Sequence, residues 1–234
     1  MNNNETGIEV VILAGGYGTR LRPVLDDIPK ALAPVRGKPF LEYILNWLAE
    51  YNTVSIILSV GHKADAIVSH FGNNFKGITL KYVYEAEPLG TGGGILNALK
   101  YIGGRDFLAL NGDTFFPVDI QSLISQHLDL EGGITVALKE TDDCGRFGSV
   151  NVDDGNNIVA FNEKMIKGHS LINGGIYIIN KEFIQETGLP SRCSFEKDVL
   201  EKYAGTGQIK GIVFSNTFLD IGVPDDYDKA TSVL

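Results

Sequence analysis

Apolar positions along this chain change their spacing several times, and the order of those changes describes an architecture. Four runs have the look of strands buried on both faces of a parallel sheet: Ile8 to Leu13, Val54 to Val60, Ile78 to Tyr84 and Asp106 to Leu110. Between them the spacing becomes helical. Phe40 to Leu48, opened by Pro39 at a first turn, and Ala64 to Phe71 read as crossover helices. A third helix follows the glycines at 90–94 and runs through Leu99, and Asp119 can cap a fourth through Leu128. Strand and helix alternate in this way to about Leu130, which predicts a three-layer α/β, Rossmann-like fold with a mainly parallel, mixed sheet.

Beyond Leu130 the texture shortens. Ile134 to Leu138 returns as a strand, and the segments 148–152 and 158–161 flank the turn Asp153 to Asn157 as a β-hairpin. Leu171 to Ile179 is another apolar run, Phe195 to Tyr203 has helical spacing, and Ile212 to Phe214 is a short strand. Pro224 with Asp225 and Asp226 opens a last helix with acids in its first turn. The second part is therefore a small, β-rich addition to the first.

Composition narrows the function classes. With 234 residues and 44% hydrophobic content, one sizeable domain fills its own core. The formal charge of −9 argues against a nucleic-acid or anionic-membrane partner, so an anionic ligand must be drawn by local charge. That charge exists between Val11 and Lys38, where Arg20, Arg22, Lys30, Arg36 and Lys38 face only Asp26 and Asp27. Cys144 and Cys193 lack metal-ligand spacing and read as reduced thiols. The amino-terminal Met-Asn-Asn-Asn-Glu-Thr has no signal-peptide character, and no apolar run approaches the ~20 residues that span a bilayer, so a cytoplasmic location is expected.

The local cations sit on a glycine-rich loop, Leu13 to Lys30, leaving the carboxyl end of the first strand. Open α/β sheets bind ligands there, and Gly15, Gly16 and Gly18 let backbone N–H groups approach an anion. Gly16-Tyr17-Gly18 lacks the third glycine of a dinucleotide fingerprint, and the Lys-Ser/Thr of a P-loop is absent. A nicotinamide-dependent oxidoreductase is excluded on that ground. A second glycine-rich stretch, Glu87-Pro88-Leu89-Gly90-Thr91-Gly92-Gly93-Gly94, follows the third strand. The fourth strand ends in Asn111-Gly112-Asp113, where an acid beside a glycine can hold a hard cation through oxygen. His62 and His70 read as surface or capping residues.

The string Gly16-x-Gly18-Thr19-Arg20-Leu21-x-Pro23 followed by Pro29-Lys30 resembles the sugar-1-phosphate nucleotidyltransferases, and the resemblance extends over nearly the whole chain. It departs at Leu25, where that family usually has Ser or Thr. The resemblance implies that residues 1–130 form a nucleotide-binding half and 131–234 a sugar-phosphate-binding half of one domain. Leu13, Ala14, Gly15, Gly16, Gly18, Thr19, Glu85, Glu87, Gly90 and Thr91 would hold the nucleotide. Arg20 would lie on the leaving phosphates, Lys30 on the triphosphate and Lys164 on the attacking phosphate, while Gly148, Glu163, Asn173 and Gly175 would line the sugar. Asp113, with Asp220 in Asp220-Ile221-Gly222-Val223-Pro224, would bind Mg²⁺. A sensor that had lost its chemistry would be expected to lack Arg20, Lys30, Asp113 or Asp220, and all four are present.

The base can be argued from donors and acceptors. Guanine presents adjacent N1–H and N2–H₂ donors that a carboxylate accepts, and Glu85 and Glu87 precede Pro88-Leu89-Gly90, so GTP is the expected triphosphate. Arg36 to Leu41, Glu87 to Gly93 and Asn111 to Phe116 look like the short heptose 1-phosphate guanylyltransferases of the same family. The sugar 1-phosphate implied by that resemblance is D-glycero-alpha-D-manno-heptose 1-phosphate. Mannose 1-phosphate with GTP and N-acetylmuramic acid 1-phosphate with UTP are the competing pairs.

Overall fold

The computed structural model describes residues 7–16, 28–142, 147–162 and 168–234. In chain order its strands are β1 (Ile8–Ala14), β2 (Pro34–Val35), β3 (Lys38–Pro39), β4 (Thr53–Val60), β5 (Asn74–Phe75), β6 (Ile78–Tyr84), β7 (Asp106–Asn111), β8 (Thr114–Phe115), β9 (Ile134–Thr141), β10 (Ser149–Val152), β11 (Ile158–Asn162), β12 (Ser170–Asn180), β13 (Ile209–Phe214) and β14 (Leu219–Asp220). Ten of these form one sheet in the order β11-β10-β12-β7-β1-β4-β6-β5, with β9 on β12 and β13 on β9. The pairs β7-β1, β1-β4 and β4-β6 are parallel, as the continuous apolar runs require. In the second half β12 lies antiparallel to β7, β9 and β10, so the hairpin region extends the same sheet.

Alternate residues of the central strands enter two separate cores. Val10, Ile12, Ile56, Leu58, Leu108 and Leu110 pack under the helices Phe40–Leu48, Ala64–Phe71, Ile120–Leu130 and Pro224–Val233. Val11, Ile57, Phe107 and Ala109 face the other way, under the helix Gly90–Ala98 and the carboxyl-terminal segment with Phe195, Val199 and Leu200. Both faces are covered, giving the three layers expected. Phe40 and Trp47 are core residues, 0% and 6% exposed.

The chain moves outward from β1 to β4 to β6 and then returns to the opposite side of β1 as β7. This reversal opens a crevice beyond the carboxyl ends of β1 and β7, the place where open sheets bind ligands. Asp119 caps its helix as read from sequence, accepting hydrogen bonds from the N–H groups of Gln121 and Ser122 at 3.0 and 3.3 Å. Two local features differ from the sequence reading. Gly90, Gly92, Gly93 and Gly94 lie inside the first turns of a helix rather than ahead of it. The segment from Phe195 contains a π-helical turn, Glu196–Glu201, which apolar spacing alone cannot distinguish from an α-helix.

Candidate active site

A cleft of about 280 Å³ occupies that crevice. It is lined by Leu13 to Gly16 from β1, Lys30 and Ala31, Glu85 and Pro88 after β6, Gly90 and Thr91, and Asn111 to Asp113 after β7. Parallel pairing sets Leu13 beside Asn111, and the Gly112 N–H donates to the Leu13 carbonyl at 2.9 Å. A side chain at 112 would meet that carbonyl at 2.8 Å, so glycine there lets the chain turn and deliver Asp113 to the cleft.

Lys30 stands in a single 3₁₀ turn, Lys30–Leu32, and reaches across to Asp113, Nζ to Oδ2 2.5 Å. Asp220 arrives by backbone pairing. Strand β14 lies antiparallel to β8 with Asp220 opposite Thr114, and the Ile221 N–H donates to the Asp113 carbonyl at 3.0 Å. Two aspartates 107 positions apart in the chain thus become backbone neighbours, with Asp113 lining the cleft. No group of three or more His, Cys, Asp or Glu side chains able to hold a metal occurs among the described residues. Two aspartates nevertheless fit a magnesium-sized cation, which keeps several waters and takes further oxygens from substrate phosphates.

At the far end of the cleft, Glu85 is held rather than solvated. Its Oε1 accepts a hydrogen bond from Ser59 Oγ at 2.7 Å and its Oε2 one from the Leu89 N–H at 3.2 Å. The absent side chain of Gly15 makes the space: a Cβ there would lie 2.6 Å from Glu85 Oε1. Gly16 has open space around it. Glu87 does not line the main cleft but is exposed in a smaller groove that it shares with Glu85, Gly61 and His62. The structure separates the two glutamates that the sequence left equivalent.

The glycine helix is explained by what packs on it. Gly92 and Gly93 donate their N–H groups to the Cys193 carbonyl at 3.1 and 3.3 Å, so these amides are engaged by protein. Cβ atoms at Gly90, Gly92 and Gly93 would lie 2.4 Å from Cys193 O, 2.6 Å from Cys193 Sγ and 2.4 Å from Ser191 O. Close approach of segment 191–195, more than room for a base, excludes side chains here. Thr91 lines the cleft, but its hydroxyl donates to Glu196 Oε2 at 2.6 Å and accepts from the Phe195 N–H at 2.9 Å. Burial and the nearby Asp198 push the Cys193 thiol up from its ordinary pKa, which keeps it protonated and inert. Gly93→Ala is expected to destabilise the protein by about 1–3 kcal/mol, the cost of overpacking against backbone. Urea unfolding checks this, and an unchanged midpoint would show that the 191–195 contact yields freely.

Beside Asn111, β12 carries two extra residues relative to β9, since Asn173 pairs with Leu138 while Tyr177 pairs with Val136. The bulge spans Gly174, Gly175 and Ile176, with Gly175 at φ +70°. A Cβ at Gly175 would lie 2.9 Å from Asn111 Nδ2, so glycine lets the bulge approach the cleft. Asn173 donates to Tyr177 Oη at 2.9 Å and accepts from the Gly175 N–H at 2.9 Å. Burial, and then the charge of Glu196, push the Tyr177 phenol up, so it stays neutral. Gly148, at φ +73°, precedes β10. Gly18, Thr19, Arg20, Glu163 and Lys164, together with Leu25 and Cys144, lie outside the described residues.

The family model for nucleotidyl transferases matches residues 9–234. The chain belongs to the nucleotidyl transferase family. It is 41% identical to the D-glycero-alpha-D-manno-heptose 1-phosphate guanylyltransferase of Campylobacter jejuni subsp. jejuni, over 94% of this chain and 97% of that one. Similarity to the mannose-1-phosphate guanylyltransferase of Mycobacterium tuberculosis is 31% over 97% of this chain and 64% of the relative. Among solved structures, HddC from Yersinia pseudotuberculosis complexed with GMP-PN superposes with a TM-score of 0.85 at 39% identity, covering 96% of this chain and 98% of that one.

Nucleotidyl transferases generally use divalent cations. Three features of this nucleotidyl transferase escape a reading of its sequence. Asn111 ends β7 and faces the cleft, but an Asn at a strand end has no distinctive signal. Ser59 lies inside an apolar run, where only its polarity hints at a partner. Glu196 gathers the hydroxyls of Thr91 and Ser194 at 2.6 and 2.8 Å, a junction between distant segments that no local pattern shows.

Proposed function

We propose that the protein is a guanylyltransferase that transfers GMP from GTP to D-glycero-alpha-D-manno-heptose 1-phosphate, releasing pyrophosphate and forming GDP-heptose for surface-polysaccharide synthesis in the cytoplasm. The observation that carries this reading is identity of 41% to a heptose 1-phosphate guanylyltransferase over nearly the full length of both chains. The Glu85 carboxylate, fixed at one end of the cleft, supports guanine as the base.

In the reaction an oxygen of the sugar 1-phosphate attacks the α-phosphorus of GTP. The new P–O bond forms as the bond to the α–β bridging oxygen breaks, and pyrophosphate carries the electron pair away. No covalent enzyme intermediate is required. Residues 1–130 hold the nucleotide, through Leu13 to Gly16, Gly18, Thr19, Glu85, Gly90 and Thr91, with Glu87 at the outer rim. Residues 131–234 hold the sugar phosphate, through Gly148, Glu163, Asn173 and Gly175. Arg20 neutralises the leaving phosphates, Lys30 the triphosphate and Lys164 the attacking phosphate, so the chain contributes alignment of two polyanions and compensation of their charge. Asp113 and Asp220 would hold a Mg²⁺ ion, which when bound would supply Lewis-acid stabilisation of phosphate oxygens.

A plate of nucleoside triphosphates against sugar 1-phosphates, scored by pyrophosphate release, tests the reading. GTP with the heptose 1-phosphate is expected to give the highest kcat/KM. Mannose 1-phosphate, one hydroxymethyl group smaller, should be a detectable but poorer substrate, since a missing group of that size costs only ~1–3 kcal/mol of discrimination. The M. tuberculosis relative makes mannose the second reading. A higher kcat/KM for mannose 1-phosphate would move the protein to that branch, and equal turnover of UTP and GTP would remove the carboxylate argument.

A further inference from the structure

We propose that Ser59 is a positioning residue for base selection, its hydroxyl setting the Glu85 carboxylate so that both oxygens face the two adjacent N–H donors of guanine. The inference rests on the guanylyltransferase reading and extends it to a residue that touches no substrate. Ser59 lies near the carboxyl end of β4, paired with Leu13 on one side and Val83 on the other, and is 0% exposed. Burying a hydroxyl costs less when it is hydrogen-bonded, and the single proton of Ser59 goes to Glu85 Oε1 at 2.7 Å. The Leu89 N–H donates to Oε2.

An ionised carboxylate offers about four acceptor positions. Two protein donors use one on each oxygen, which leaves one on each oxygen for a ligand. Guanine's N1–H and N2–H₂ match that remainder, whereas hypoxanthine, lacking the 2-amino group, can fill only one. The surroundings fix the carboxylate's plane. A Cβ at Gly15 would lie 2.6 Å from Oε1, and one at Gly94 would lie 3.2 Å from Ser59 Oγ and 3.3 Å from Oε1. Two glycines therefore admit the Ser59-Glu85 pair, and a carboxylate held before the ligand arrives loses less freedom on binding.

The strand carries its own control. Ser55 occupies the same face of β4 two repeats earlier and is also buried, yet its Oγ has no hydrogen-bond partner among the described residues. Removing that hydroxyl perturbs the strand without touching Glu85.

The test measures kcat/KM for GTP and for ITP with the sugar 1-phosphate in wild type, Ser59→Ala, Ser55→Ala, Glu85→Ala and Ser59→Ala/Glu85→Ala. Ser59→Ala is expected to lower the GTP-to-ITP ratio by roughly tenfold, the scale of one hydrogen bond to a charged group, chiefly through KM for GTP. Ser55→Ala should leave the ratio unchanged, and Ser59→Ala should shift it by less than about twofold once Glu85 is absent. Ser59→Cys, close in volume and a weaker donor, gives the same comparison if the alanine variant folds poorly. An unchanged ratio in Ser59→Ala, a parallel loss with both nucleotides, or a shift that persists without Glu85 would overturn the proposal. Wild-type preference for UTP over GTP would instead mark failure of the guanylyltransferase reading, visible before any variant is made.

Discussion

Lys30→Ala is expected to lower kcat by on the order of 10²-fold or more, the scale found when one preorganised charge is removed from a transition state. The same substitution should barely touch stability. Lys30 and Asp113 form a 2.5 Å ion pair with side chains 16% and 40% exposed, and pairs of that exposure contribute about 1 kcal/mol or less. In a chain of this size such a loss moves Tm by roughly 2–4 °C. The effect on kcat should exceed the effect on KM for GTP, because charge accumulates on the phosphates as pyrophosphate departs. Arg20→Ala is expected to act in the same direction. Steady-state kinetics alongside a thermal melt checks both, and near-wild-type turnover in both variants would remove the cationic loop from the chemistry.

Asp113→Asn and Asp220→Asn should each raise the Mg²⁺ concentration for half-maximal rate at least tenfold, about 1.4 kcal/mol of lost cation affinity, with kcat falling as well. Each variant keeps an oxygen but gives up a negative charge, so the test isolates electrostatics from shape. Asp113 also carries the contact to Lys30, which makes a second explanation possible: the carboxylate could serve only to orient the lysine. A Mg²⁺ titration separates the two, because an orienting role lowers kcat at unchanged metal requirement. Full activity of wild type in excess chelator would sink the metal role for both aspartates.

The sequence made the parallel half of the fold legible because burial on both faces leaves continuous β-branched runs, as at Val54 to Val60, and because crossover helices carry their own period. It also showed the chemistry-bearing termini of those strands, Gly15 and Gly16 after β1 and Asn111-Gly112-Asp113 after β7, since strand ends in an open sheet converge by topology. What it concealed depended on contacts between remote segments. The helix Lys181–Glu186, capped by the Asn180 side chain on the Phe183 N–H, is too short for periodicity to register. The pairing of β8 with β14 involves two residues on each side, far below what a pattern search detects. The glycines at 90–94 were visible, but their cause was not: a glycine needed for a ligand and one needed for a neighbouring backbone look alike in one dimension.

That last contact bears on attempts to recombine enzymes of this kind. Because the Cys193 carbonyl closes the amino end of the glycine helix, and Glu196 clasps Thr91, the cleft wall at Gly90 and Thr91 is braced from behind by a segment of the later half of the chain. A chimera that grafts a relative's first 130 residues onto this protein's remainder would join two surfaces shaped for other partners. Transplanting base preference therefore calls for residues 191–196 to travel with the graft, as an insert inherited from the nucleotide donor rather than from the sugar donor.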